Sequence, residues 1–317
     1  MSISDMRPIH IDGADCLNHI YMTLCNYWNR RYEPTFSNQW DFHYEQASNK
    51  KNVYLGAEIR VVYENDLEDL FEKYCGITTE KLEFSDFHNF ISQTENELSN
   101  DRPIGIAVNT FWCPWNKDYQ LVERYHMMLI VGLRKDGVLC IDSYNNLEIN
   151  VMPYSLLENS ICGAWKYGLQ PIIEIDDIGG FLIESMQRAQ NSPNEIRLFA
   201  KAIYSLNIKQ EYSVYNPNIY STLWDVLLNR KLDLISGSRN MFSLYLKYMS
   251  EKDGYNFLAS YVPLFIELSN KWNKVKMILL KCYLTEFRLI DREKLLSYIN
   301  DIAACEESVR LSLVEKL

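Results

Sequence analysis

Three side chains of this sequence could together perform nucleophilic catalysis: Cys16, His126 and Asp142. A thiol attacks a carbonyl carbon as its thiolate, and the pKa of a thiol falls at a helix N-terminus or beside an imidazolium. Cys16 is predicted to have both. Asp15 before it is a typical N-cap residue, and His126, at the start of an apolar strand, would supply the imidazolium. In such a site Asp142 orients the imidazole and stabilises its charged form, while His126 takes the thiol proton.

A helix is predicted to present Cys16. Apolar side chains recur at helical spacing over residues 15–28, which places Cys16 in the first turn. A second helix is predicted over residues 65–75 and ends at Gly76. Considered alone, Cys16 also fits the description of a small buried hydrophobic residue, and that interpretation stays open here.

A hairpin is predicted to bring His126 beside Asp142. The turn at residues 134–137 separates two apolar runs, and the required register needs a bulge that Gly132 can supply. Taken singly, His126 is an ordinary strand histidine and Asp142 an ordinary turn aspartate. The predicted strands are residues 104–111, 126–133 and 138–142.

The pattern of the sequence changes near residue 178. Before that point strands alternate with helices, and after it nearly every segment has the 3.6-residue period of a helix. The predicted fold class is therefore α+β. It comprises a catalytic domain at residues 1–177, with an antiparallel sheet packed on helices, and an all-helical domain at residues 178–317.

Local signals mark several helices of the second half. Ser192 and Glu195 have the spacing of a capping box, with Pro193 at the first helical position. Pro263 lies within an apolar run and is predicted to kink a helix. The long apolar stretches are residues 219–228, 241–249, 257–268 and 272–284.

Composition excludes several classes of protein. The net charge of -10 would repel a phosphate backbone, so a nucleic-acid partner is not expected. No segment approaches the roughly 20 apolar residues that span a bilayer, and no export signal is recognisable, so we expect a cytoplasmic protein without membrane association. The eight cysteines are widely spaced, which favours free thiols in a reducing compartment and no metal site.

The motifs around these residues resemble a known family. The helix-opening cysteine, the strand that begins at His126 and the strand that ends at Asp142 resemble the papain-like fold of bacteriocin-processing peptidase domains. More specifically, the Trp-Cys-Pro-Trp run at 112–115, followed by Tyr119, resembles the acyltransferases typified by butirosin biosynthesis protein H. The run that begins at Arg239 is similar to the helical C-terminal domain of that family.

This resemblance implies an acyl transfer. Members of the family take an acyl group from the phosphopantetheine thioester of a carrier protein and pass it to an amine of a small natural-product intermediate. Carried onto this chain, it makes Cys16 the nucleophile, His126 the base and Asp142 its orienting partner. The phosphopantetheine arm belongs to the donor, and no bound cofactor is implied.

The resemblance also suggests secondary roles. Papain-like enzymes commonly place a glutamine some six residues before the cysteine to bind the oxyanion, and here that position is His10; the backbone N–H of Cys16 is the other candidate donor. The aromatic side chains of Trp112, Trp115 and Tyr119 are predicted to line a substrate channel. The sequence departs from the family at the nucleophile, which follows aspartate where the family often has histidine.

Two other functions remain compatible with the sequence. A cysteine peptidase or amidase would use the same three residues without a carrier protein, and a non-catalytic member would bind a partner through the papain-like domain.

His19, three residues after Cys16, is a weaker candidate for the base, because an imidazole placed there points along the helix. The helical domain is expected to act as a lid that excludes water and to shape the acceptor pocket.

Overall fold

A computed structural model describes six ranges of the chain, and within them the protein is α+β with antiparallel strands. The described residues are 3–46, 54–60, 67–172, 177–213, 222–286 and 292–317.

The described residues form eight strands and ten α-helices, joined by short 3-10 segments. The strands are β1 (His43–Tyr44), β2 (Ile59–Arg60), β3 (Ile77–Lys81), β4 (Ile104–Asn109), β5 (Tyr125–Leu133), β6 (Gly137–Ile141), β7 (Ile149–Pro153) and β8 (Ile161–Leu169). The helices are α1 (Cys16–Tyr27), α2 (Leu67–Cys75), α3 (Phe87–Ser99), α4 (Tyr154–Ser160), α5 (Ile178–Arg188), α6 (Ser192–Tyr204), α7 (Ile208–Tyr212), α8 (Leu227–Ser250), α9 (Val262–Thr285) and α10 (Arg292–Val314).

The chain separates into two compact units. The first comprises Met1–Tyr32 and Asp66–Glu174, and the second comprises Glu33–Asn65 and Ile175–Leu317. Residues 33–65, which the sequence analysis places in the N-terminal domain, thus belong to the unit that contains the C-terminal helices.

A six-stranded antiparallel sheet, in the order β3-β8-β4-β5-β6-β7, organises the first unit. The predicted hairpin is confirmed: β5 and β6 pair directly, and residues 134–136 connect them. Their register shifts between Ile130 and Gly132, where the sequence predicts a bulge.

Helices cover both faces of this sheet. On one face Ile106 and Met128 share a buried apolar cluster with Phe90 of α3. On the other face Tyr21 of α1 is hydrogen-bonded with Thr79 of β3, with the two hydroxyl oxygens 2.7 Å apart. Tyr21 is also fully buried, and because burial of a large apolar side chain stabilises a fold by about 1.5–3 kcal/mol, it helps to hold α1 against the sheet.

The second unit is mainly helical, with α8 packed along α9 and α10 packed on α6. Strands β1 and β2 form a separate two-stranded sheet within it. The predicted kink at Pro263 is wrong, because this proline lies in the first turn of α9, where its missing N–H has no intrahelical acceptor to lose.

The predicted capping box of α6 is also wrong. The helix begins at Ser192 after Asn191, whose side chain makes no capping bond. Ser192 Oγ instead accepts the N–H of Phe42 at 2.9 Å, and Glu195 accepts that of Tyr44 at 2.7 Å. Both cap-like side chains therefore serve tertiary contacts, Ser192 with the residue before β1 and Glu195 with β1 itself.

The remaining helix predictions agree with the structure in part. The second predicted helix appears as α2 and ends before Gly76, whose φ of 67° suits glycine; residues 65–66 lie outside the described ranges. Of the stretch 219–228, residues 219–221 also lie outside those ranges. In the described part of the chain, no helix combines the length and apolar character that a bilayer crossing requires.

Candidate active site

Cys16 is the first residue of α1, as the sequence predicts. Asp15 before it is extended, with φ -83° and ψ 177°, and its carboxylate accepts the N–H of Asn18 at 2.8 Å. This is N-cap geometry, and it satisfies one of the free N–H groups of the first turn. The thiol of the partly exposed Cys16 therefore lies at the positive end of the helix dipole.

His126 and Asp142 are brought together by the hairpin. His126 is the second residue of β5, and Asp142 directly follows β6. The Nε2 atom of His126 donates to Oδ1 of Asp142 at 2.8 Å, and both residues are buried, with 5 % and 1 % of their surface exposed. A carboxylate so placed fixes both the tautomer and the orientation of the imidazole.

The third predicted residue lies beside this pair, since the side chain of Cys16 is among the neighbours that raise the pKa of His126. Because Nε2 is engaged by Asp142, Nδ1 is the ring nitrogen left to face the sulfur. The structure thus brings together Cys16, His126 and Asp142, which are far apart in sequence.

The charges of the pair stabilise one another. Burial acts to lower the pKa of His126, but the hydrogen bond with Asp142, the neighbouring Cys16 and the charge of Asp142 raise it to about 10. Burial likewise acts to raise the pKa of Asp142, but its hydrogen bond with His126 and the charge of the imidazolium lower it. At neutral pH the site therefore holds an imidazolium between a carboxylate and a sulfur atom.

Two further side chains donate to Asp142. The Trp115 indole N–H reaches Oδ2 at 2.8 Å, and the Asn145 amide reaches the same oxygen at 2.7 Å. Trp115 was predicted as a channel residue, and its N–H is here a contact of the triad. Asn145 was missed, although its position in the polar turn that follows Asp142 is a usable signal, because such turns fold back on their own aspartate.

His10, the predicted oxyanion donor, has partners of its own. Its Nδ1 lies 2.7 Å from the carbonyl oxygen of Ser143 and its Nε2 lies 3.2 Å from Oδ1 of Asp12. With both nitrogens directed at these acceptors, His10 would have to give up the exposed Asp12 to face an oxyanion at Cys16. The backbone N–H of Cys16, at the start of a helix, needs no such change.

His19 supports His10 and is not placed as a base. The two rings stack with centroids 4.8 Å apart, and Nε2 of His19 accepts the N–H of Ile11 at 3.1 Å. Burial and the neighbouring His10 lower the pKa of His19 to about 4, so this imidazole is neutral at physiological pH.

Other aromatic residues lie around or near the site. The ring of Tyr144, 49 % exposed, lies 5.6 Å from that of His126. Of the remaining predicted channel residues, Trp112 contacts Phe111 edge to face, and the Tyr119 hydroxyl accepts from the Gln120 amide. Neither of these two contacts involves Cys16, His126 or Asp142, whereas Tyr144 is an aromatic ring placed beside the imidazole of His126.

Comparison of the chain with protein-family models and with curated proteins found no match. Among the described residues, no three histidine, cysteine or acidic side chains are arranged to hold a metal ion.

Proposed function

We propose that this protein is a cysteine-dependent acyltransferase with a papain-like first unit. It moves an acyl, aminoacyl or peptidyl group from the phosphopantetheine thioester of a carrier protein, through an acyl-cysteine at Cys16, to an amine of a small natural-product intermediate. The observation that carries this proposal is the placement of Cys16, at a capped helix start, beside a histidine that Asp142 holds by a hydrogen bond. The sequence resemblance supports acyl transfer as the reaction class.

In the first step the Cys16 thiolate attacks the carbonyl carbon of the thioester. A carbon–sulfur bond forms, the carbonyl π electrons move to oxygen, and the backbone N–H of Cys16 is the nearest candidate to stabilise that oxyanion. Collapse of the intermediate breaks the bond to the pantetheine sulfur, which leaves as a thiol with the proton of His126. The products are acyl-Cys16 and a neutral imidazole.

In the second step an amine attacks the acyl-cysteine. Acylation removes the negative charge of Cys16, which is one of the interactions that raise the pKa of His126, so the imidazole is then free to act as a base. It takes a proton from the attacking amine, the carbon–sulfur bond breaks, and Cys16 leaves as a thiolate beside the regenerated imidazolium. The net result is an amide and an enzyme ready for another cycle.

The same residues can also serve a cysteine peptidase or amidase. A thioester and an acyl-cysteine are close in free energy, so the nucleophile that attacks second decides between transfer and hydrolysis.

All eight cysteines are free thiols, which accords with the proposed cytoplasmic location.

The test is product partition. The protein is mixed with an acyl-pantetheine thioester at increasing concentrations of a simple amine, and amide and free acid are separated by liquid chromatography with mass detection. A transferase is expected to form amide in proportion to the amine, with little acid. Formation of acid alone, together with cleavage of peptides or amides in the absence of a thioester, would favour the hydrolase.

A further inference from the structure

The Asp142 carboxylate is held on both of its oxygens. Oδ1 accepts from His126, and Oδ2 accepts from Trp115 and from Asn145. The Asn145 backbone N–H also points to Oδ1, at 3.4 Å. These donors come from three segments of the chain: the loop after β4, strand β5 and the turn after β6.

Donor and acceptor chemistry sets the direction of each bond. The Asn145 amide nitrogen lies 3.2 Å from Nε2 of His126 as well as 2.7 Å from Oδ2 of Asp142. Nε2 carries a proton and donates it in the hydrogen bond to Asp142, so this nitrogen has no lone pair left to accept a hydrogen bond from the amide. The amide of Asn145 therefore donates to the carboxylate. The two donors on Oδ2 fix the carboxylate plane and leave Oδ1 aimed at the imidazole.

Such a fixed carboxylate has a consequence for Cys16. An ionised carboxylate with 1 % exposure requires hydrogen-bond donors, because water cannot solvate it. If Oδ2 lost its donors, the carboxylate could rotate, and the imidazole would lose the orientation that turns Nδ1 towards the thiol.

We propose that Trp115 and Asn145 are positioning residues, which act through Asp142 to hold His126 in the orientation that activates Cys16. The inference rests on the proposed function only in that His126 serves Cys16. It assigns neither residue a contact with substrate. The predicted channel role of Trp115 stays a prediction, and the indole N–H adds a second role beside it.

The variants are chosen to remove one donor each. Trp115→Phe keeps an aromatic ring and removes the indole N–H, and Asn145→Ala removes the amide. Matched controls are Trp28→Phe, at the opposite end of α1, and Asn146→Ala, whose side chain bonds with Glu148 and Asn150 instead. Should one variant fail to fold, the other tests the same oxygen from a different segment.

The first readout is the alkylation rate of Cys16 by iodoacetamide between pH 5 and 9, followed by peptide mass spectrometry; it requires no acyl substrate. Each variant is expected to slow alkylation about 10- to 100-fold at neutral pH, as for loss of one hydrogen bond to a buried charge. Burial disfavours the ionised form of Asp142, and the bonds from Asn145 and Trp115 help to lower its pKa. The low-pH limb of the rate profile is therefore expected to move to higher pH in both variants and to stay in place in both controls.

The second readout is a double-mutant cycle with Asp142→Asn. A residue that acts through the carboxylate is expected to have little further effect once the carboxylate is gone. If Trp115→Phe and Asn145→Ala slow the Asp142→Asn protein as much as they slow the wild type, or if they behave like the controls, the proposal is wrong. If the two variants show these effects on alkylation but the wild type transfers no acyl group, the positioning role stands and the proposed function fails.

Discussion

Each unit of the molecule buries an ion pair, and the pair of the first unit lies beside Cys16. In the first unit His126 faces Asp142, and in the second unit Arg239 faces Glu306. The side chains of Arg239 and Glu306 have no exposed surface. Both carboxylates also accept an indole N–H: Asp142 from Trp115, and Glu306 from a tryptophan of its own unit, Trp40. By burial and hydrogen bonding the two pairs are alike.

The difference lies in what the cation has left to offer. Arg239 directs Nε and Nη2 to Glu306 and Nη1 to the carbonyl oxygen of Asp41, and a guanidinium does not lose its proton in proteins. His126 directs Nε2 to Asp142 and also lies beside Cys16, and an imidazole can both give and take a proton. A buried ion pair becomes a reactive site when its cation is titratable and borders a nucleophile that solvent can reach.

The largest effect is expected from Asp142→Asn, which turns the reactive pair into a neutral one. By analogy with other triads, kcat/KM for acyl transfer is expected to fall by about 10³- to 10⁴-fold, because the amide no longer stabilises the imidazolium. Some alkylation of Cys16 should persist, since the helix start is unchanged. Steady-state kinetics measures this, and a loss below tenfold would show that Asp142 does not orient the base.

The second pair should respond in stability instead of activity. Glu306→Ala leaves the Arg239 charge buried without its carboxylate and is expected to lower the unfolding free energy by about 3–5 kcal/mol. Glu307→Ala is the matched control, because its partner Arg197 is partly exposed and such a pair contributes under about 1 kcal/mol. Denaturant titration compares the two variants, and equal losses would contradict a special role for the buried pair.

A third prediction contrasts two buried histidines. The pKa of His126 is raised to about 10, whereas burial lowers that of His19 to about 4. The pKa of His19 is lower in the folded protein than in the unfolded chain, so on acidification the unfolded chain binds the proton at the higher pH. The contribution of His19 to stability is therefore complete above pH 6.5 and is lost as pH falls towards 4, by about 3 kcal/mol at most. His126 has the opposite sign: its contribution is complete below pH 6.5 and is lost as pH rises through about 10.

The measurement for His19 is the unfolding free energy of wild type and His19→Gln from pH 7 to 4. Glutamine can still accept the N–H of Ile11 but does not titrate. The variant is expected to lose less stability over this range, and parallel curves for the two proteins would show that His19 does not titrate as proposed.

The smallest effect concerns the two helix caps of the first unit. Asp15 caps α1 and Asp86 caps α3, where it accepts the N–H of Asn89 at 2.8 Å. Alanine at either position is expected to cost about 1 kcal/mol of stability, but only Asp15→Ala should slow the alkylation of Cys16. Equal alkylation rates in the two variants would show that the N-cap at Asp15 does not affect the reactivity of the Cys16 thiol.

Sequence reasoning could reach the triad because each member sits on a locally encoded element. Asp15 marks the helix start at Cys16, and the turn at 134–137 with Gly132 marks the hairpin that joins His126 to Asp142. Local signals failed where long-range contacts compete for the same groups. Ser192 and Glu195 accept the N–H groups of Phe42 and Tyr44 and do not cap α6.

The surroundings of Asp142 show the same limit. The indole N–H of Trp115 reaches a carboxylate 27 residues away in sequence, and nothing in the run around Trp115 encodes that acceptor. The assignment of residues 33–65 to the helical unit likewise depends on contacts with distant helices. Spacing identifies the elements, and packing decides which polar groups meet.

The most direct test of the central claim is intact-protein mass spectrometry after mixing with an acyl-loaded carrier protein, with Cys16→Ala in parallel. The expected result is a mass increase equal to the acyl group in the wild type and no increase in the variant, which should keep its fold because the change is small and at a helix start. The same increase in both proteins would contradict Cys16 as the nucleophile. No increase in a wild type whose Cys16 alkylates readily would contradict acyl transfer itself.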